Sequence, residues 1–273
     1  DPNASSDPGA PYTITDDATG GDCQWIGTWN SGTKTCSLNG RDIFSSSHGI
    51  IIGSDGITLI GNIFMGFEPF QGDDNAYGID ARFVDNFTIK GFNITGFGVG
   101  IRTGNGNNGV ITNNSLNFNS VDGIYSEYDT RLKITNNSIF SNGRNGITLN
   151  GGTGDPGSST GFVVKQNTME LNAGNGIEAF NTSGIYFEQN TSNDNLKGFY
   201  LSNNSDNSFV GNTANSNTNN GFAFWGSTNF VFTGDNTATG NGINFECSGG
   251  TCDASPDFPW NVSSDTTPPT LTV

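Results

Sequence analysis

Four charged side chains, Asp80, Arg82, Arg102 and Glu127, are the residues here best suited to catalysis, and Tyr125, Tyr128 and Arg131 lie among them. A pair of carboxyls can share general-acid and general-base work on a glycosidic bond. Tyrosines and arginines can hold a sugar polymer by stacking and hydrogen bonding. The same residues fit two plainer readings. One is a binding groove without chemistry; the other is a solvated surface whose opposite charges balance.

Their spacing points to the elements that position them. Asp80 and Arg82 come two and four residues after Gly78, and Tyr125 and Glu127 two and four after Gly123. Arg102, Thr148, Asn150 and Glu178 stand at the same offsets from Gly100, Gly146 and Gly176, with Asp129 close by. On a strand those offsets share one face. The glycines belong to a repeat. Asn114-Ser115 returns as Asn137-Ser138, a spacing of 23 residues, and Asn119 returns as Asn142. Similar pairs follow at Asn167/Asn172, Asn190/Asn195, Asn212/Asn217 and Asn236/Asn241. A glycine before a large apolar residue trails each pair: Gly123, Gly146, Gly176, Gly198, Gly221 and Gly242. Periods of this size mean stacked supersecondary units.

Within a unit, short alternations such as Leu132-Lys133-Ile134 and Ile147-Thr148-Leu149 read as strands. Three short strands per repeat predict an all-β solenoid, a single-stranded parallel β-helix of about eight or nine coils rising about 4.8 Å each, with a cap at either end. Asn114, Asn137, Asn167, Asn190, Asn212 and Asn236 are expected to form a buried ladder, because a stack of identical amides satisfies its own donors and acceptors. The glycine column marks a corner that needs positive φ or close backbone approach.

These units, from about Gly49 to Phe245, resemble the right-handed parallel β-helix repeats of NosD-type surface proteins and many polysaccharide-active enzymes. The run TITDDATGGDC…IGTWN…KTC is similar to the lead-in of such exported surface proteins. The resemblance implies fold far more than activity. Lyases of this kind use carboxylates holding Ca²⁺ with an Arg or Lys base, and hydrolases use two or three close aspartates. Here Asp80 has no carboxylate at its position on the next coil, and Glu127 meets Arg or Asn. The Asp-Pro-His-Asp signature of alginate epimerases is absent, since Gly157 follows Asp155-Pro156. NosD's link to copper maturation does not carry over to a chain with two Met and one His.

The net charge of −16 argues against nucleic acid and anionic membranes as partners. No apolar run approaches the roughly 18 residues of a membrane span. The four cysteines form two local pairs, Cys23 with Cys36 across a hairpin and Cys247 with Cys252, and both are expected as disulfides. No metal centre or cofactor is expected, although Asp16-Asp17 and Asp73-Asp74 offer oxygens to Ca²⁺. Sequons at Asn3, Asn86, Asn93, Asn113, Asn136, Asn181, Asn203 and Asn261 suggest N-glycans on a secreted, cell-surface chain. A ninth, at Asn190, falls on the ladder and should stay bare. No signal peptide is present, which suggests numbering from a mature terminus.

The expected organisation is a tail (1–11), a cap with the disulfide hairpin (12–48), the β-helix (49–246), and a cap with an extended tail (247–273). Two excursions, Phe67 to Ala76 and Gly151 to Ser159, should land on the surface. The resulting expectation is an extracellular glycosylated structural protein that builds a layer, sheath or filament, its tails lying on neighbouring copies. The alternatives are a carbohydrate-binding or adhesive module and a polysaccharide lyase, hydrolase or epimerase.

Overall fold

The structure, a computed structural model, describes residues 7–67, 74–152 and 159–250. One coil shows how the rest are made. Val110–Thr112, Ser115–Asn117 and Ile124–Glu127 are strands whose inward members, Ile111, Leu116, Ile124 and Ser126, are fully buried. Asn113 and Phe118 sit at φ 55° and 52°, and each turns the chain between flat runs. Left-handed backbone suits Asn well and Phe poorly.

Each strand pairs in parallel with its equivalents one repeat below and above: Ile111 opposes Ile89 and Ile134, and Ile124 opposes Ile101 and Ile147. Ten strands form one sheet running the length of the column, and the remaining two strand columns form a second. The result is a parallel β-solenoid of about nine turns with almost no helix.

The interior is a stack of like on like. The Ile79–Ile101–Ile124–Ile147–Ile177 column becomes Phe199, Phe222 and Phe245 in later coils. Phe187, Phe209 and Phe232 succeed Ile134 and Val164 in another column. Rings in one column stack at 4.7–4.9 Å, close to the coil rise, and meet the other column edge-on. Room for them comes from the third column, where Met169 gives way to Ser192, Ala214 and Ala238, all buried.

At the amino end, Tyr12–Ile14, Thr35–Leu38 and Ile43–Ser45 pair in parallel with later strands, so the stretch expected as a cap carries the first coil. Its open edge is covered from within: Thr13 donates to Asp22 Oδ2 at 2.8 Å, and the Asp22 amide donates back to the Thr13 carbonyl. The hairpin is present, Gly27–Asn30 against Thr35–Leu38. Cys23, however, lies on the short helix Cys23–Ile26, so its disulfide to Cys36 ties helix to strand and is not cross-strand. Cys247 is likewise oxidised, while Cys252 lies outside the described residues. Both excursions fall largely outside them, as do both tails.

The glycine column resolves as close approach. None of Gly123, Gly146, Gly176, Gly198 or Gly221 has positive φ. A Cβ on each would lie 2.5–2.9 Å from the carbonyl oxygen of the next coil. Gly242 is out of place. Gly221 lies against Asn244, with Asn220 opposite Ile243 and Phe222 opposite Phe245. A side chain is tolerated there because no strand pairs beyond Ile243–Ser248 in that sheet among the described residues.

Candidate functional site

Outward residues of the ten-stranded sheet stand in register. One column runs Asp80, Arg102, Tyr125, Thr148, Glu178, Tyr200, Ala223, Glu246. Two positions along each strand a second runs Arg82, Gly104, Glu127, Asn150, Phe180, Ser202, Trp225, Ser248. The stacking brings all four candidate catalytic residues and Tyr125 onto one face.

The charges are already matched. Arg82 folds back on Asp80 of its own strand, Nε at 2.9 Å and Nη2 at 2.7 Å, which raises its own pKa further. Arg102 reaches Glu127 across the coil boundary at 2.7 Å and lies 3.9 Å from the Tyr125 ring centre. The Tyr125 hydroxyl accepts from Asn150 Nδ2 at 3.0 Å. Arg144 pairs with Asp122, whose side chain is fully buried. Glu178 accepts from Asn145 Nδ2, and burial pushes its carboxyl up. Arg102 Nε and Asn175 Oδ1 are buried without a partner.

Three sequence candidates are not on this face. Asp129 is 1% exposed and belongs to an inner row at the third corner, with Ser159, Thr182, Asn204 and Ser227. Its carboxylate accepts from the Thr103 and Ser126 hydroxyls and from the Gly106 amide; burial raises its pKa. Tyr128, at φ 57°, turns that corner and its ring covers Gly152. Arg131, at φ 53°, donates to Asn108 Oδ1 at 2.7 Å. One left-handed residue shifts the in-out alternation, so Glu127 and Tyr128 face out and Asp129 faces in.

The residues missed from the sequence lie further along the same columns. Trp225 is 45% exposed, and Tyr200 stands between it and Phe180 with edge-on contacts of 6.2 and 5.8 Å. Lys197 Nζ lies 4.0 Å from the Tyr200 ring centre and has no ion pair among the described residues. Counting two and four from Gly198 and Gly221 would have found Tyr200 and Trp225.

Residues 24–156 and 150–256 match the family described as right handed beta helix region. The chain belongs to this family. A comparison with curated proteins finds no match. Solved structures share the fold at low identity. A double mutant of the periplasmic alginate epimerase AlgG superposes with TM-score 0.60 at 15% identity, covering 84% of this chain and 63% of that one. The catalytic unit of a GH87 alpha-1,3-glucanase from Streptomyces thermodiastaticus gives 0.54 at 12%, covering 80% and 62%. Tailspike protein 2 of Escherichia coli O157:H7 bacteriophage CAB120 gives 0.52 at 14%, covering 79% and 37%. The chain thus spans under two thirds of each of these proteins.

Elsewhere on the β-helix the polar groups do other work. The Asp17 carboxylate is ringed by donors from Thr15, Thr19 and Gly21, which hold its pKa far below the usual range. Asp16 pairs with Lys34, and Asp74 accepts from the Ser120 hydroxyl; Asp73 lies outside the described residues. No group of three metal-ligating side chains occurs among the described residues. Nor is any helix among them long and apolar enough to cross a membrane. A shallow concavity of ≈ 520 Å³ opens away from the stripe, between Phe64, Asn93, Asn113 and Asn136. Those three asparagines are exposed, as are Asn86 and Asn203. Asn181 is half-buried and donates its amide nitrogen, where a glycan would attach, to the Gly152 carbonyl. Asn190 is 1% exposed; Asn3 and Asn261 lie outside the described residues.

Proposed function

We propose that this β-helix is a polysaccharide-binding module of an exported protein and holds an extended glycan along its ten-stranded face. The observation that carries this reading is the register of the two outward columns, which aligns Arg102, Tyr125, Glu178, Tyr200 and Trp225 into one polar-aromatic stripe parallel to the axis. Aromatic bodies with polar neighbours suit sugar rings, which have apolar faces and hydroxyl edges. Two structural neighbours bear names that act on polysaccharides, an alginate epimerase and an alpha-1,3-glucanase. The Cys23–Cys36 disulfide supports an oxidising compartment.

Catalysis is not part of the proposal. Asp80, Arg82, Arg102 and Glu127 neutralise one another, and a general acid or base must be free to exchange its proton. The layer or filament expected from the sequence is not carried forward. The tails invoked for it lie largely outside the described residues, and Asp7, in the described part of the first, pairs with Arg41 of its own chain. At the last described coil, Asn236 Nδ2 turns to the Thr233 carbonyl and Asn241 Nδ2 to Asn244 Oδ1, so among the described residues the ladder closes within the chain.

Affinity electrophoresis through gels carrying a panel of soluble polysaccharides tests the reading. Retardation in at least one gel, lost in a Tyr200→Ala, Trp225→Ala double variant with unchanged circular dichroism, is expected. Free migration in every gel would remove it.

A further inference from the structure

The charge pairing on the face bears on which glycans it can take. Three of its four cations are already engaged by carboxylates. Arg82 is chelated by Asp80, Arg102 is held by Glu127 and Arg144 by Asp122. Lys197, the remaining one, lies over Tyr200 and acts on the neighbouring Glu178. Glu246, which accepts from Asn220 Nδ2 at 2.9 Å, has no cation partner among the described residues. Four positive charges therefore face five negative ones (Asp80, Asp122, Glu127, Glu178, Glu246), a balance of −1 on a chain of −16.

We propose that the ligand is a neutral polysaccharide rather than a uronate or sulfated polymer. This rests on the binding reading above. A polyanion would approach against the field of the whole chain. Beyond the single unpaired cation, Lys197, it would have to draw a guanidinium out of a pair that is partly buried, leaving the carboxylate behind uncompensated. A neutral chain meets neither obstacle. It can lie on Trp225 and Tyr200 and exchange hydrogen bonds with partly exposed side chains such as Asn150 and Ser202 that carry no charge.

The length of the stripe adds a second expectation. Tyr125 and Trp225 stand four coils apart, roughly 19 Å at the usual coil rise. One sugar cannot reach both, so affinity should climb with chain length.

The test compares neutral gels (a β-glucan, an α-glucan, a mannan) with anionic ones (polygalacturonate, alginate, a sulfated galactan), each at low and high salt. The expected result is retardation by a neutral polymer that salt leaves unchanged, and none by the anionic set. Trp225→Ala should weaken it at least about tenfold. Oligosaccharides should compete better with length, and the monosaccharide not at all. Retardation by an anionic polymer that fades with salt would overturn the inference while leaving the binding reading in place. A chain that no polymer retards would remove the binding reading itself, which is a different outcome.

Discussion

An asparagine inside the ladder does three jobs at once. In Asn167, Oδ1 accepts both the amide and Nδ2 of Asn137 at 3.0 and 2.9 Å, while Nδ2 donates upward to Asn190 and downward to the Ile134 carbonyl. A second ladder through Asn119, Asn142, Asn172, Asn195, Asn217 and Asn241 repeats the pattern, except that Asn195 Nδ2 turns to the Ser192 hydroxyl and only its backbone amide reaches Asn217 Oδ1. Removing one rung leaves buried donors stranded, at about 1–3 kcal/mol each. Asn167→Ala strands two such donors and should therefore cost about 2–6 kcal/mol in urea unfolding. Asn114→Ala, at the foot of the ladder, strands only the Phe92 amide and should cost about half as much. Asp129 plays the ladder role with a carboxylate, and that makes it sensitive to pH. Its folded pKa lies above the ordinary 3.8, so as pH rises past that value the unfolded chain loses its proton first. The unfolded state then binds fewer protons than the folded one, and stability declines until the raised folded value is passed. Asn at this position keeps the acceptor for Gly106 and does not ionise. The stability gain of Asp129→Asn over the native chain should be least at acid pH, grow from about pH 3.8 upward and then level off. Parallel denaturant titrations over a pH series would check it; a flat difference would contradict the assignment.

Between one coil and the next, the corner glycines decide how closely the strands can stack. A Cβ on Gly146 would lie 2.6 Å from the Gly176 carbonyl oxygen and 2.8 Å from Met169 Cγ. Neither can retreat, because Gly176 is fixed by pairing on both sides and Met169 is fully buried. Gly146→Ala should cost about 1–3 kcal/mol, seen as a lower unfolding midpoint. The strands themselves are only three to six residues long in most coils. Such segments are marginal alone and hold because each is paired on two sides and packed on a third. The same logic explains the change from Ile to Phe along the core. Larger rings fit only where Ser192, Ala214 and Ala238 make way across the interior.

Stability in a column of this kind is close to a sum over neighbouring coils, so its ends are where it opens. The Cys23–Cys36 disulfide sits at one such end, joining the covering helix to the first coil across a separation of 13 residues. Replacing both cysteines with alanine should lower stability by about 3 kcal/mol. The loss should be local. Amide exchange should quicken in Tyr12–Ile14 and stay slow in Ile147–Asn150, where strands pair on both sides. Equal acceleration throughout would mean that the coils unfold as one unit.

Along the strands the sequence alone set which residues point inward, because that is a local matter of alternation and of a repeated Asn and Gly; at the corners it did not. Asn114 to Asn236 could be placed from spacing, and the interval of 30 between Asn137 and Asn167 shows an insertion absorbed at a corner, with Glu178 still opposite Thr148. What the spacing could not give was partnership. Arg82 turns to the carboxylate on its own strand while Arg102 crosses to the next coil, a choice between rotamers that register alone leaves open. Asp129 went inward because one residue before it adopted positive φ, a backbone state that Tyr128 does not announce. The aromatic end of the stripe emerged once Tyr200 and Trp225, 25 residues apart in the chain, stood on adjacent coils. Alternation is written in neighbouring residues; lateral contact is decided by how separate coils settle against one another.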